Sequence, residues 1–208
     1  MDSAYLDQFL KKSASGHSHL CPRQILGVRM GLYAGELLNL TLPQNGKRLF
    51  VITETDGCFA DGLSAATNVK VGHRTLRVED YGKTAAVFID TETEYAIRIA
   101  PSLDIRQQAY EYVPEESRHY FAQLKAYKIM PDEVMFSAQN VALNVSIQDI
   151  ISKPGMREIC DLCGEEIMNE REVHQNRMIL CRACAGNSYY RVPICIPVIQ
   201  SRVGQLHK

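Results

Sequence analysis

Apolar positions along the chain change period several times, and each change predicts an element. From Met1 to Lys12, Leu6, Phe9 and Leu10 fall on one helical face among Asp2, Asp7, Lys11 and Lys12, an amphipathic helix and not a secretory leader. Pro22 to Leu40 keeps helical spacing, with Ile25, Met30, Leu32, Tyr33 and Leu37 available for burial. Arg48–Thr55 reads as a strand and Phe59–Asn68 as a short helix; Leu76–Val78, Lys83–Asp90 and Tyr95–Ala100 follow as a strand meander. Helical patterns return from Ser102 to Ala138, broken at Pro114 and Pro131. Helices and strands that come in groups, without regular alternation, predict an α+β fold, a mixed or antiparallel sheet packed with helices.

Ser152-Lys-Pro-Gly155 punctuates the chain and sets the expected boundary. Residues 1–155 then form the α+β domain, 156–190 a small second domain, and 191–208 an extended arm. In that arm Pro193 and Pro197 flank Ile194, Cys195 and Ile196, which suits a sheet edge or a partner chain and leaves Cys195 as an apolar filler. On the first long helix Gly27, Gly31 and Gly35 recur every four residues, although each costs about 1 kcal/mol of helix propensity relative to alanine. A stripe without side chains lets something come close: another helix of the same protomer, a second protomer, or a ligand.

Candidate chemistry lies in two places. Cys160-x2-Cys163 and Cys181-x2-Cys184, separated by seventeen residues, have the spacing of a structural zinc ribbon, in which four thiolates close a tetrahedral site and leave no position for substrate. The second place is Gly16-His-Ser-His-Leu-Cys-Pro22, where His17, His19 and Cys21 alternate and would share a face on an extended segment. Pro22 holds Cys21 extended and suits the first helical position, so Cys21 is expected at the helix cap. At Thr55-Asp-Gly-Cys-Phe-Ala-Asp61 a strand again runs into a helix, with Asp56 as expected N-cap and Cys58 in the first turn. Both sulfurs would lie at positive helix ends, which favour a thiolate. If the two junctions converge, His19 and Cys58 could ligate a second metal ion, with His17, Cys21 and Asp61 beside them. Packed cysteines and turn-capping histidines would account for the same residues. His73, His119, His174 and His207 stand outside any such pattern.

Composition narrows the classes. A net charge of −1 over 208 residues gives no general affinity for nucleic acid or anionic membrane. Nowhere is there a run of about 18 apolar residues that could span a bilayer. Seven cysteines, four in metal spacing, fit a reducing interior, so the expected location is the cytoplasm. Between Met156 and Tyr190 six acids outnumber four arginines, and a zinc with four thiolates adds about two further negative charges, the wrong sign for a nucleic-acid reader.

Gly16-His-Ser-His-Leu-Cys-Pro-x3-Leu-Gly-x-Arg-Met-Gly31, Asp56-Gly-Cys58 and Arg77-Val-Glu-Asp-Tyr-Gly-Lys83 resemble the FmdE family, named for the E component of formylmethanofuran dehydrogenase. The ending from Cys160-Asp-Leu-Cys163 to Cys181-Arg-Ala-Cys-Ala-Gly-Asn-Ser-Tyr-Tyr190 is similar to the zinc ribbon that many members carry. The resemblance implies an α+β core, commonly a homodimer, with His17, His19 and Cys58 as functional residues and Cys21 and Asp61 beside them. Ser18 and Arg23 stand where the family usually has glycine, and each adds a side chain near the expected pocket. No Cys-x2-Cys-x2-Cys run is present, so the chain would be an accessory subunit of a molybdenum or tungsten one-carbon enzyme, of the kind linked to methanogenesis, and not its redox catalyst. The alternatives are a standalone metal-dependent enzyme, with Asp61 as proton acceptor, and a zinc-ribbon regulator.

Overall fold

Leu6, Phe9 and Leu10 are buried on the first helix, α1 (Ser3–Ala14), as their spacing predicts. The computed structural model describes residues 3–151 and 153–191, and the chain divides into two units, Met1–Ile151 and Ser152–Lys208. The expected C-terminal arm, with Cys195, lies outside the described residues apart from Arg191.

Helix α2 (Pro22–Leu37) starts where Pro22 forces it to: Cys21 is the cap, in extended backbone at φ −117° and ψ 159°. Its N–H donates to Gln24 Oε1 at 2.8 Å, and Gln24 Nε2 donates to the Ser13 carbonyl at 2.9 Å, which ties the start of α2 to α1. Strand β1 (Leu49–Thr53) leads into helix α3 (Cys58–Thr67). The cap of α3 is Gly57, not Asp56. The turn needs φ +70°, a conformation that glycine adopts without the Cβ penalty aspartate would meet.

The glycine stripe packs within the protomer. A Cβ on Gly27 would lie 2.2 Å from the Phe59 carbonyl oxygen of α3, and one on Gly62 would lie 2.4 Å from that of Gln24 in α2. The two helices therefore cross backbone to backbone. Gly31 faces Ala66 and Thr67 of α3, and Gly35 faces Leu42 in the connection after α2.

Strands β2 (Leu76–Val78), β3 (Ala86–Asp90) and β4 (Ala96–Pro101) follow. Helices α4 (Ile105–Tyr112), α5 (His119–Ala126) and α6 (Asp132–Met135) then lead to β5 (Phe136–Asn140) and helix α7 (Ile147–Ile150). The sheet is mixed, in the order β2-β1-β3-β4-β5. The expected meander holds only for β3 and β4. β2 lies parallel to β1, with Val51 opposite Leu76, because α3 carries the chain across as a crossover. β5 occupies the edge where helix was expected as far as Ala138. Only Phe136 of its five residues is buried, so it has no alternating pattern; the ladder offered by β4 decides its conformation.

Alternation sorts the central strands between two apolar clusters. Leu49, Val51, Ala86, Phe88, Ile97 and Ile99 join the helical side, while Phe50, Ile89 and Ala96 meet Ile147 and Ile150 of α7 on the other. Buried Arg29 fastens the far end of the helical layer, donating to the carbonyls of Tyr127 (2.9 Å) and Met130 (2.7 Å) and to Asp132 Oδ1 (2.8 Å). Burial pushes the Asp132 carboxyl up while Arg29 opposes that shift.

In the second unit, β6 (Arg157–Ile159) pairs with β7 (Glu166–Met168) and β8 (Val173–Gln175) with β9 (Met178–Leu180), two three-residue hairpins. Their buried apolar cluster is Cys160, Ile167 and Leu180.

Candidate functional site

The four ribbon cysteines converge: one sulfur from each of Cys160, Cys163, Cys181 and Cys184 lies within 4.8 Å of the others. A tetrahedral zinc with bonds of about 2.3 Å would set sulfur–sulfur edges of about 3.8 Å, and Cys163 and Cys181 are already 4.0 Å apart. Backbone N–H groups turn toward the sulfurs, Cys181 N–H to Cys160 Sγ at 3.2 Å and Cys184 N–H to Cys181 Sγ at 3.4 Å. The Cys163 and Cys181 N–H groups draw the Cys160 thiol down to about 6, while hydrogen bonding with the Cys181 sulfur, followed by burial, pushes Cys184 up to about 12. Four crowded thiols that cannot all ionise alone are what a dication would resolve. The donor set fits a metal ion in a closed, structural site.

The N-terminal candidates divide into three groups. Residues 17–19 form a bend and not a strand end, so His17 and His19 do not share an extended face with Cys21. His17 Nε2 bonds Asp61 Oδ2 at 2.9 Å, which links the bend to the first turn of α3. His19 Nδ1 meets Ser18 Oγ at 2.9 Å, so Ser18 takes up one ring nitrogen. Cys21 and Cys58 come together in a cavity of about 770 Å³. Burial, then a hydrogen bond with the Cys21 side chain, pushes the Cys58 thiol up; Asp61 adds to the shift, and the helix start does not outweigh them. Among the described residues, the ribbon is the one place where three or more His, Cys, Asp or Glu ligand atoms converge.

Sequence reasoning missed most of the cavity wall. Arg23 lies on its lining, as do Arg106 of α4, His119 and Tyr120 of α5, and buried Tyr127. Tyr120 donates its hydroxyl to the Leu20 carbonyl at 3.2 Å, and burial, with Cys21 and Cys58 nearby, pushes the phenol up. His119, which has no motif around it, packs edge-on against Tyr110 with centroids 5.2 Å apart. Arg106, His119, Tyr120 and Tyr127 lie 85 to 106 positions after Cys21, and only the return of the chain through α4 and α5 brings them there.

Residues 16–156 match the family described as FmdE, molybdenum formylmethanofuran dehydrogenase operon, and the chain belongs to that family. The matched segment contains the Cys21–Cys58 cavity and ends before the first ribbon cysteine. A protein of Archaeoglobus fulgidus named as a probable S-adenosyl-L-methionine-binding protein is 26% identical over 209 aligned residues, 90% of this chain and 55% of that protein. The chain thus spans about half the length of this curated relative. The crystal structure of a tungsten formylmethanofuran dehydrogenase FmdE-like protein from Syntrophus aciditrophicus superposes with a TM-score of 0.57 at 20% identity. It covers 89% of this chain and 95% of its own, and shares the fold. No helix among the described residues is long and apolar enough to cross a membrane.

Proposed function

We propose that this chain is a metal-binding accessory protein of molybdenum- or tungsten-dependent one-carbon redox metabolism, cytoplasmic and dimeric, whose N-terminal cavity holds a small ligand. The ribbon holds one structural zinc, which four thiolates coordinate fully, and serves as a docking module. The observation that carries the reading is the coincidence of the family-matched segment with the cavity over Cys21 and Cys58. The ligand sits against these two thiols and the wall supplied by α4 and α5. The name of the Archaeoglobus relative supports a small-molecule role for the shared region. His17 and Asp61 act as a pair that positions the first turn of α3, and with it Cys58.

The test is anaerobic purification of the tagged full chain from its own host. Metal content is measured per chain, and copurifying subunits are identified by mass spectrometry. One zinc per chain, retained in Cys58→Ala, together with subunits of a molybdenum or tungsten enzyme, is the expected result. A chain that elutes alone as a monomer would sink the accessory role. A second metal that disappears in Cys58→Ala would replace the ligand cavity with a metal site.

A further inference from the structure

We propose that the cavity over Cys21 and Cys58 is an anion site, in which Arg23 and Arg106 hold the carboxylate or phosphate group of a small organic ligand. The inference rests on the reading of this cavity as the ligand site and adds the charge of what enters it. At about 770 Å³ the space matches small-molecule pockets, and Leu26, Ile105 and Tyr127 supply an apolar wall for the ligand's body.

The charge pattern of the wall is one-sided. Arg23 and Arg106 line the cavity, and among the described residues no aspartate or glutamate does. Other arginines of the same unit have carboxylate partners: Arg29 pairs with Asp132, Arg48 with Asp90, Arg98 with Glu54 and Arg118 with Glu116. Neither Arg23 nor Arg106 has an ion pair or side-chain hydrogen bond among the described residues. Arg23 and Arg106, both exposed, thus line the same space with no carboxylate beside them on the wall. A carboxylate or phosphate is the group their planar donors fit.

The backbone contributes in the same sense. First-turn residues of α2, α3, α4 and α5 all reach the lining, through Arg23, Cys58, Arg106 and Tyr120 respectively. Each helix start carries partial positive charge. Asp61, whose charge reaches Cys58, is engaged by His17 at 2.9 Å, and Asp104, before α4, accepts from Gln108 Nε2 at 2.8 Å. A purely cationic ligand would find no carboxylate on this wall.

Alkylation of the two cysteines in the full chain tests the inference through the charge of the reagent. Rates for anionic iodoacetate and neutral iodoacetamide are read at Cys21 and Cys58 by peptide mass spectrometry. They are compared between the native chain and the Arg23→Ala/Arg106→Ala variant at low salt. The double substitution is expected to slow iodoacetate about ten-fold and iodoacetamide by less than about two-fold. Benzoate and phenyl phosphate should protect the cysteines better than neutral benzamide or cationic benzyltrimethylammonium, and the stronger of the two anions identifies the group. If both reagents respond alike, or benzyltrimethylammonium protects best, the anion assignment falls while the ligand cavity stands. If neither reagent reaches either cysteine, the cavity is closed, and the ligand-site reading falls with it.

Discussion

Side chains from helices α1 to α7 and from all five strands of the main sheet meet in the apolar clusters of the unit Met1–Ile151, whereas the ribbon's buried cluster consists of Cys160, Ile167 and Leu180. The first unit can draw its stability from its own burial. Among its described residues the second has two hairpins of three-residue strands and a buried cluster of three residues, and strands of that size do not hold together in water unaided. The contrast separates a region with a core of its own from one in which four converging cysteines offer a metal the part of a core.

The contrast is broken most directly at Cys163. Cys163→Ser should expel the metal and remove about 10–16 kcal/mol of metal-linked folding energy from the ribbon, so residues 156–190 lose their dispersed amide signals in heteronuclear NMR. The core's melting transition should stay in place, and its disappearance would show that the two units fold as one. Next in size is Arg29→Ala. It strands a half-buried Asp132 carboxylate and two carbonyls, and should cost about 3–5 kcal/mol of core stability in urea titration with the metal content unchanged. Gly62→Ala puts a methyl group 2.4 Å from the Gln24 carbonyl oxygen and should cost about 1–3 kcal/mol, read as a lower thermal midpoint of the core alone.

The smallest effect is a pH dependence. Arg48 holds the buried Asp90 carboxyl below the usual carboxylate range through bonds of 2.9 and 3.1 Å, against the opposing effect of burial. A carboxylate whose folded value is depressed stabilises the fold above its unfolded value near about 3.9 and loses that contribution as pH falls through the folded value. Asp90→Asn should therefore flatten the core's acid-unfolding curve at its low-pH end, while the ribbon, whose ligands must stay deprotonated, releases metal at a higher pH than the core unfolds. Simultaneous loss of both would narrow the difference between the units.

What could be read from the sequence follows the same division. Local rules fixed the ribbon, since Cys-x2-Cys spacing carries its own geometry, and the cap at Cys21, since Pro22 constrains its neighbour. Periodicity located α1, α2, β1 and α3 within a few residues. It failed at β5, where Phe-Ser-Ala-Gln-Asn shows no alternation and pairing with β4 decides, and at Asp56, where a positive φ outranked side-chain capping preference. The cavity was half legible. Cys21 and Cys58 stand in motifs, but Arg106, His119 and Tyr120 enter only through tertiary return, which no local pattern encodes.

The crossing of α2 and α3 fixes a distance. Gly27 lies about 9 Å along its helix from Cys21 and Gly62 about 6 Å from Cys58, at 1.5 Å per residue, and between them main chain touches main chain. Main-chain atoms cannot be resized by substitution as side chains can. The separation of the two sulfurs is therefore gauged by the backbone, so the rest of the core can be repacked residue by residue while the mouth of the cavity keeps its dimensions.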